Sequence, residues 1–542
     1  MSPVWTKWVA AAALSCVMTA SIAAPTSAAH PAPELLSVDD LDADGRDDVL
    51  VMQSSPNWDP NHLMDLNLRA INGGNGATMW SAHLDYGRFV PFHLTGLGSV
   101  VLEVDSRPLP DGQQFEIRRL RLLRGGDGSV LWDVPSAVLK SKIHVDGWIL
   151  AQESRNTSSN VVIAAAPMPD ANGDGLDDVL ITTHTETDGS LPYDRPLSTR
   201  HGITLDGTSG SVVGVVTAPP DNRRNESVHP DQRAAGQPRI FPSPDLDGDG
   251  LGDVISYGES PTGPRLTAWP ATGSRPFWTV AAAGAGLTVS LADLSGDGLC
   301  DVALDGWLPA PPGDIVRYGP QTAVWYDGRN GALLHEWTAP EFSVQRRYAL
   351  IGDADGRSGA DVRYLEKDGR EWPSTSSVEV IRGDGSSIWQ RSEVDERIEG
   401  LADHDLGGDR VMDAIAVRYT WTGIDYLKEF AALSGTDGTE LWATSEETAP
   451  FRRLELPRAA WSPARAGDAN GDGAGDVISG DRTSGTAAKI RSGLDLAPVA
   501  ELPGEQGDIY AGQLDGDSGH EVVVASGSGF AAFDGPRLLW RA

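Results

Sequence analysis

The chain has 542 residues, and roughly 100–200 residues is usual for one compact domain, so it holds several domains or one long repeat. Hydrophobic residues make up 40% and Trp occurs 17 times, which excludes a disordered chain because such a composition can bury a substantial core. The net charge of −34 excludes nucleic acid as an expected partner, because a phosphate backbone would be repelled.

The N-terminal segment is typical of an export signal. Lys7 supplies a positive charge, the run from Trp8 to Ala24 is almost uninterrupted apolar sequence, and small residues follow. A membrane anchor is the alternative, but the run is short for a span of about 20 apolar residues. We therefore predict a signal peptide over residues 1–29, and a secreted, extracellular protein over residues 30–542 that has no membrane span. After signal removal Cys300 is the remaining cysteine, so loops must be held by something other than an intramolecular disulfide, and bound metal is a candidate.

Nine-residue acidic segments recur along the chain. Oxygen-bearing side chains occupy positions 1, 3, 5 and 9, Gly occupies position 6, and position 7 varies, as fits a residue that offers only its backbone carbonyl. Calcium takes about six to eight oxygen ligands, and a tight loop presents alternate side chains to one point. One such segment is also typical of an acidic surface turn, but five copies favour calcium. The predicted ligands are Asp40, Asp42, Asp44, Arg46 and Asp48; Asp170, Asn172, Asp174, Leu176 and Asp178; Asp245, Asp247, Asp249, Leu251 and Asp253; Asp293, Ser295, Asp297, Leu299 and Asp301; and Asp468, Asn470, Asp472, Ala474 and Asp476.

The residues after position 9 distinguish these loops from EF-hands. An EF-hand closes with a Glu at position 12 inside a helix. Here position 12 is Val51, Ile181, Ser256, Leu304 or Ser479, and short β-branched runs follow position 9. Each acidic loop is therefore predicted to lead into a buried strand.

Weaker copies of the loop complete the repeat. The segments at Asp353, Asp405 and Gln513 keep a closing acid but lose a ligand, with Arg357 and Gly407 at ligand positions in the first two. The segment at His93 keeps only the outline. We expect these four to keep the fold with weaker metal sites or none. Nine repeats are thus predicted to start at residues 40, 93, 170, 245, 293, 353, 405, 468 and 513.

A Gly-rich turn followed by Trp alternates with the acidic loop and indicates a β-hairpin. The Trp residues are expected to pack between repeats instead of binding a ligand. The Trp residues in this signature are Trp80, Trp132, Trp337, Trp389, Trp442 and Trp540.

A four-stranded unit that recurs in this way predicts an all-β fold, a β-propeller of seven to nine four-stranded blades with Asp-rich calcium loops. The loops resemble the FG-GAP repeats of integrin α-subunit propellers and of bacterial VCBS-type secreted proteins. The resemblance covers about residues 33–542, and it implies one propeller domain and a binding or adhesion role.

The sequence contains no clear catalytic constellation, so we lean against an enzyme. Two segments are candidates for recognition: the basic strand Arg118–Arg124, for which ion pairing with nearby blades is the favoured interpretation, and the polar stretch Ala218–Pro238. The calcium is expected to be structural. The favoured function is a monomeric binding module for extracellular carbohydrate, a cell-surface component or protein. A calcium-dependent polysaccharide lyase and an envelope scaffold without a small ligand stay open as alternatives.

Overall fold

The computed structural model describes the greater part of the repeat region. It covers residues 34–54, 66–85, 87–108, 115–142, 164–186, 198–218, 239–260, 263–273, 275–282, 285–309, 318–339, 344–357, 359, 361–368, 376–393, 401–404, 406, 411–421, 426–449, 469–472, 476–479, 488–492, 497–502, 507–514, 520–526, 529–534 and 537–541. The predicted signal peptide, almost all of the stretch 218–238, and the predicted ligands Asp468 and Ala474 lie outside these residues.

The described residues form nine antiparallel sheets, and in each sheet the strands lie side by side in chain order. Eight of the nine sheets have four strands. In the remaining sheet, which is the eighth along the chain, three strands are described. Each of the nine predicted repeat starts is followed along the chain by a strand of a different sheet. The predicted all-β propeller is confirmed, and the sheets are called blades 1 to 9 below.

The strands of blades 1 to 3 are β1 Glu34–Asp39, β2 Asp48–Ser54, β3 Leu66–Ile71 and β4 Thr78–Leu84; β5 Gly87–Leu94, β6 Gly98–Pro108, β7 Phe115–Arg124 and β8 Val130–Pro135; and β9 Ala164–Met168, β10 Asp178–Glu186, β11 Ser198–Leu205 and β12 Val212–Thr217. The strands of blades 4 to 6 are β13 Arg239–Ser243, β14 Asp253–Ser260, β15 Gly263–Pro270 and β16 Trp278–Ala281; β17 Ala285–Ala292, β18 Asp301–Pro309, β19 Tyr318–Tyr326 and β20 Leu333–Thr338; and β21 Val344–Gly352, β22 Asp361–Asp368, β23 Ser376–Ile381 and β24 Ser387–Glu393.

The strands of blades 7 to 9 are β25 Leu401–His404, β26 Asp413–Trp421, β27 Tyr426–Leu433 and β28 Glu440–Ala449; β29 Val477–Ser479, β30 Ala488–Arg491 and β31 Pro498–Leu502; and β32 Gly507–Gly512, β33 Glu521–Ser526, β34 Gly529–Asp534 and β35 Arg537–Arg541. One helix, α1 Ser136–Lys142, follows blade 2. Among the described residues, no helix is long and apolar enough to cross a membrane.

The apolar core lies between the blades instead of at one common centre. Within the described residues, eight of the nine seams between neighbouring blades have a buried apolar cluster of their own. At the seam that joins the two ends of the repeat, Val49 and Ile71 of blade 1 pack with Phe530 and Trp540 of blade 9. Strands β1 and β32 also contact each other. The ring therefore closes by packing between two complete sheets, since both blades are built from consecutive strands.

An indole hydrogen bond repeats at five of the described seams. The Trp of a fourth strand donates from Nε1 to a Gly carbonyl in the β3–β4-type turn of the next blade, as Trp278 does to Gly328 at 2.6 Å. A Cβ on Gly331, whose φ is +71°, would come within 2.9 Å of the same Trp278 ring. The five bonds are Trp80 to Gly125, Trp132 to Gly207, Trp278 to Gly328, Trp389 to Gly435 and Trp540 to Gly73.

In blade 5, a His lies against the turn of the next blade. A Cβ on Gly385 would meet the ring of His335. His335 lies four residues after Gly331 and pairs with Trp325 across the hairpin. The same four-residue spacing separates Gly76 from Trp80, so this spacing marks the residue that lies against the next turn in both blades.

Candidate metal centres

The acidic loops fold through hydrogen bonds from backbone N–H groups to their own carboxylates. In blade 1, Asp40 Oδ1 accepts from the N–H of Asp44 at 3.1 Å and Asp40 Oδ2 accepts from Gly45 at 2.9 Å, while Asp42 Oδ1 accepts from Asp44 at 3.1 Å. Gly45 has a φ of +86°, which explains the Gly at position 6. The bond from position 6 to position 1 recurs at Asp170, Asp245 and Asp293, at 2.7, 2.8 and 2.9 Å.

Two of the predicted loops bring three carboxylates together. One oxygen each of Asp40, Asp42 and Asp48 lie within 4.8 Å of one another, and Asp245, Asp247 and Asp253 form the same group in blade 4. Calcium–oxygen distances of about 2.3–2.6 Å allow one ion to bridge oxygens at that separation. These residues therefore fit a calcium ion.

Blade 1 carries a further sign of a cation site. Asp48 is fully buried, and its Oδ2 has no hydrogen-bond partner among the described residues. Its other oxygen, Oδ1, accepts from the N–H of Gly73 at 2.9 Å. A buried carboxylate oxygen without a partner is costly unless a cation or proton neutralises it. The N–H of Leu41 also lies close enough to lower the pKa of Asp48, so this carboxylate is weakly satisfied within its own loop and has room for a cation.

The remaining predicted ligands are placed as follows. At position 3, blades 3 and 5 have the uncharged residues Asn172 and Ser295. Within the described residues, no three-carboxylate group forms in either loop. The acids concerned are Asp170, Asp174 and Asp178 in blade 3, and Asp293, Asp297 and Asp301 in blade 5. The position-5 carboxylates Asp44, Asp174, Asp249 and Asp297 accept from the N–H groups of the position-7 residues Arg46, Leu176, Leu251 and Leu299. In blade 8, Asp472 N–H donates to Asn470 Oδ1 at 2.9 Å, and Asp476 Oδ2 accepts from Ala469 at 2.8 Å.

The acid at position 9 has a structural role that the sequence reading missed. In blade 7, the buried Asp413 accepts from Leu406 N–H at 2.7 Å and from Gly435 N–H at 2.8 Å, so it joins the acidic-loop position to the Gly-rich turn of its own blade. The N–H of position 2 donates to the position-9 acid in the pairs Ala171–Asp178, Leu246–Asp253, Leu294–Asp301, Ala354–Asp361, Leu406–Asp413, Ala469–Asp476 and Leu514–Glu521. The sequence contains a signal for this structural role, because the position-9 acid persists at Asp361, Asp413 and Glu521, in loops where another ligand position is lost.

Burial governs the protonation of these closing acids. It raises the pKa of Asp253 to about 8, with added repulsion from Asp247, Asp249 and Asp245, despite the N–H of Leu246. It raises the pKa of Asp48 to about 6 in the same way, with repulsion from Asp42 and Asp44. Full ionisation of these loops is therefore opposed by burial and by repulsion between the carboxylates, and a bound cation would offset that repulsion.

In five of the described loops, the N–H of position 8 donates to a carbonyl of the preceding blade. Gly252 N–H donates to the carbonyl of Asp170 at 2.7 Å, across the seam between blades 3 and 4. Where the preceding loop lacks an acid at position 1, position 8 is itself an Asp. Asp177 Oδ2 accepts from Thr95 N–H at 2.8 Å, and Asp47 Oδ2 accepts from Gln513 N–H at 2.7 Å. An acid at both positions would place like charges at one seam, so this alternation avoids repulsion.

The basic strand β7 is ion-paired within its own blade, which corrects the expectation of partners on nearby blades. Arg121 bonds to Glu103, which is 2% exposed, and Arg119 Nε bonds to Asp105 Oδ2 at 3.0 Å. Glu103 and Asp105 both lie on the neighbouring strand β6. These guanidinium groups already have carboxylate partners and are poorly suited to recognise an external acid.

The one cysteine of the described residues is not an activated nucleophile. Cys300 is free, and burial together with the charges of Asp301 and Asp293 raises the pKa of its thiol. A thiol with a raised pKa carries little thiolate at neutral pH.

Comparison with known proteins adds fold similarity. No family model and no curated protein matches the chain. The exotype rhamnogalacturonan lyase YesX is 14% identical, with 86% of this chain and 73% of that chain covered and a TM-score of 0.44. The rhamnogalacturonan lyase YesW is 12% identical over 92% of this chain and 84% of that one, with a TM-score of 0.38. The Dos1 propeller is 9% identical over 91% and 90%, with a TM-score of 0.35. None of these similarities assigns an activity to this chain.

Proposed function

We propose that the chain is a calcium-stabilised β-propeller that acts as an extracellular binding module of the FG-GAP/VCBS type, with carbohydrate or protein as its ligand. The observation that carries the calcium assignment is the group Asp40, Asp42 and Asp48, in which one oxygen of each carboxylate lies within 4.8 Å of the others and Asp48 is buried. These residues would hold the ion, and the ion would supply positive charge to a self-repelling loop. Export rests on the sequence of residues 1–29, and the binding role rests on the family resemblance.

The calcium assignment is tested by metal analysis and thermal unfolding of the mature chain. Calcium should co-purify or bind on addition, and chelation by EDTA should lower the melting temperature. A chain that contains no metal and melts identically in EDTA and calcium would contradict the assignment.

The binding role is tested by a polysaccharide and glycan array, probed with calcium and with EDTA, while the supernatant is assayed for new unsaturated chain ends. Retention on a glycan without products supports a binding module. New chain ends would replace the binding module by the lyase alternative. Absence of both would favour a protein ligand or the scaffold alternative.

A further inference from the structure

Blade 6 has an acidic group whose spacing matches the candidate calcium groups. One oxygen each of Asp353, Asp355 and Asp361 lie within 4.8 Å of one another, as in blades 1 and 4. Asp361 is 4% exposed and accepts from Ala354 N–H at 2.7 Å. Distances between carboxylates therefore do not distinguish this loop from the others.

The difference lies in what contacts the carboxylate at position 3. Both Nε and Nη2 of Arg382 lie 2.7 Å from Asp355 Oδ2, and Arg357 Nε lies 3.5 Å from the same oxygen. The Arg382 and Asp355 side chains are 25% and 14% exposed, so the pair is largely shielded from water. Arg382 Nη1 also donates to Ser386 Oγ at 2.9 Å, which fixes the guanidinium.

We infer that Arg382, assisted by Arg357, neutralises the acidic loop of blade 6 in the place that a divalent cation takes in blades 1 and 4. This inference rests on the proposed calcium function of those two blades. Two guanidinium groups therefore face the three loop carboxylates of blade 6, and they also interact with Asp384 of the turn. In blade 4, the loop has four carboxylates, its turn begins with the uncharged Pro270, and Arg329 of blade 5 acts on Asp247 as a nearby charge.

The position of Arg382 explains how it reaches the loop. It follows Ile381, the last residue of β23, and precedes Gly383 in the Gly-rich turn. The matching turn residue of blade 3 is Asp206, which accepts from Nδ2 of Asn172, the position-3 residue of that loop, at 2.8 Å. The turn residue thus contacts position 3 in both blades, and a cation in blade 6 would have to displace a held guanidinium.

The first experiment counts bound calcium on the full mature chain by calorimetry and metal analysis. The variant D353N/D355N should bind as many ions as the wild type, whereas the matched variant D245N/D247N should bind one fewer. Circular dichroism confirms that both are folded. Loss of one ion from D353N/D355N would overturn the inference while leaving the proposed calcium function intact.

The second experiment does not depend on calcium and covers the case of an unfolded loop variant. R382Q, D355N and R382Q/D355N are melted in EDTA as a double-mutant cycle. R382Q should lower the melting temperature by about 1–3 °C, and should cost clearly less when Asp355 is already Asn. If the wild type binds no calcium, the proposed function fails and this cycle decides the inference: additive effects of the two changes would refute it.

Discussion

Blades 2 and 4 share one architecture but differ completely in their first loop. Blade 4 has acids at positions 1, 3, 5 and 9, while the loop of blade 2, from His93 to Gly98, has none. Both sheets nevertheless have the same strand order. The fourth strand of each carries a Trp, Trp132 or Trp278, whose Nε1 donates to a Gly carbonyl of the next blade. In blade 2, Gly125 N–H donates to the carbonyl of Ser99, in place of a position-9 carboxylate.

The comparison separates the residues that build a blade from those that are added to it. Apolar side chains at the seams, the indole bond and a satisfied turn N–H are common to both blades. Acids at positions 1 and 3 are dispensable for the architecture, because blade 2 has none. Their grouping in blades 1 and 4 fits the proposed cation.

The largest effect is expected from breaking what the two blades share. W278A removes a side chain that is 8% exposed and fills the seam to blade 5. A loss of about 3–5 kcal/mol in the free energy of unfolding is expected, because a large buried aromatic leaves a cavity. Denaturant unfolding measures it. The control L333A, at a side chain that is 56% exposed, should change stability by less than about 0.5 kcal/mol.

The next effect comes from the position-9 acid in the blade 7 loop, which has Gly407 at a predicted ligand position. D413A leaves the N–H groups of Leu406 and Gly435 without an acceptor inside the protein. A loss of about 2–4 kcal/mol is expected, since each buried unsatisfied donor costs about 1–3 kcal/mol. The loss should be the same in calcium and in EDTA. A loss confined to calcium-containing buffer would mean that Asp413 is a metal ligand instead.

Calcium removal should destabilise the blades whose loops group three carboxylates, as in blades 1 and 4, and the loss of stability should depend on pH. The pKa values of Asp48, at about 6, and Asp253, at about 8, are raised in the folded state, so the folded protein binds these protons more tightly than the unfolded chain. In EDTA, the stability that they contribute is full below their unfolded pKa of about 4 and is lost as pH rises through 6 to 8.

Calcium should reverse this trend because it binds the ionised loops. At a free concentration 100 times its dissociation constant, each site adds about 2.7 kcal/mol. Calorimetric melts at pH 5, 6.5 and 8.5 should therefore show a calcium-induced rise in melting temperature that grows with pH. A calcium effect that is largest at pH 5 would contradict the assignment of these carboxylates.

The smallest effect is expected at the seams where position 8 carries the acid. D47N weakens the acceptor for Gln513 N–H between blades 9 and 1, and about 1 kcal/mol of stability should be lost. D85N, at a side chain that is 84% exposed, is the control and should be neutral. Equal stability of the two variants would show that the hydrogen bond from Gln513 N–H to Asp47 contributes nothing to the free energy of unfolding.

The sequence predicted the architecture better than the chemistry of individual loops. Each of the nine predicted repeat starts precedes a strand of a separate sheet, because the acidic loop and the strand after it are local patterns.

Arg382 was missed because its partner Asp355 is distant along the chain and becomes its neighbour only when β23 pairs with β22. Arg357 was noted as a lost ligand, but the positive charge that compensates the loop comes from the turn. The double role of position 9 was hidden for the same reason, since the N–H of Gly435 is brought to Asp413 by the sheet.

The seam between blades 9 and 1 has the same contacts as seams that a covalent linker crosses. Trp540 donates to Gly73 as Trp278 does to Gly328, and Asp47 N–H donates to Gln513 as Gly252 does to Asp170. Chain connectivity is therefore not what orders the blades. A circular permutant that joins blade 9 to blade 1 and opens the chain between blades 4 and 5 should assemble the same ring.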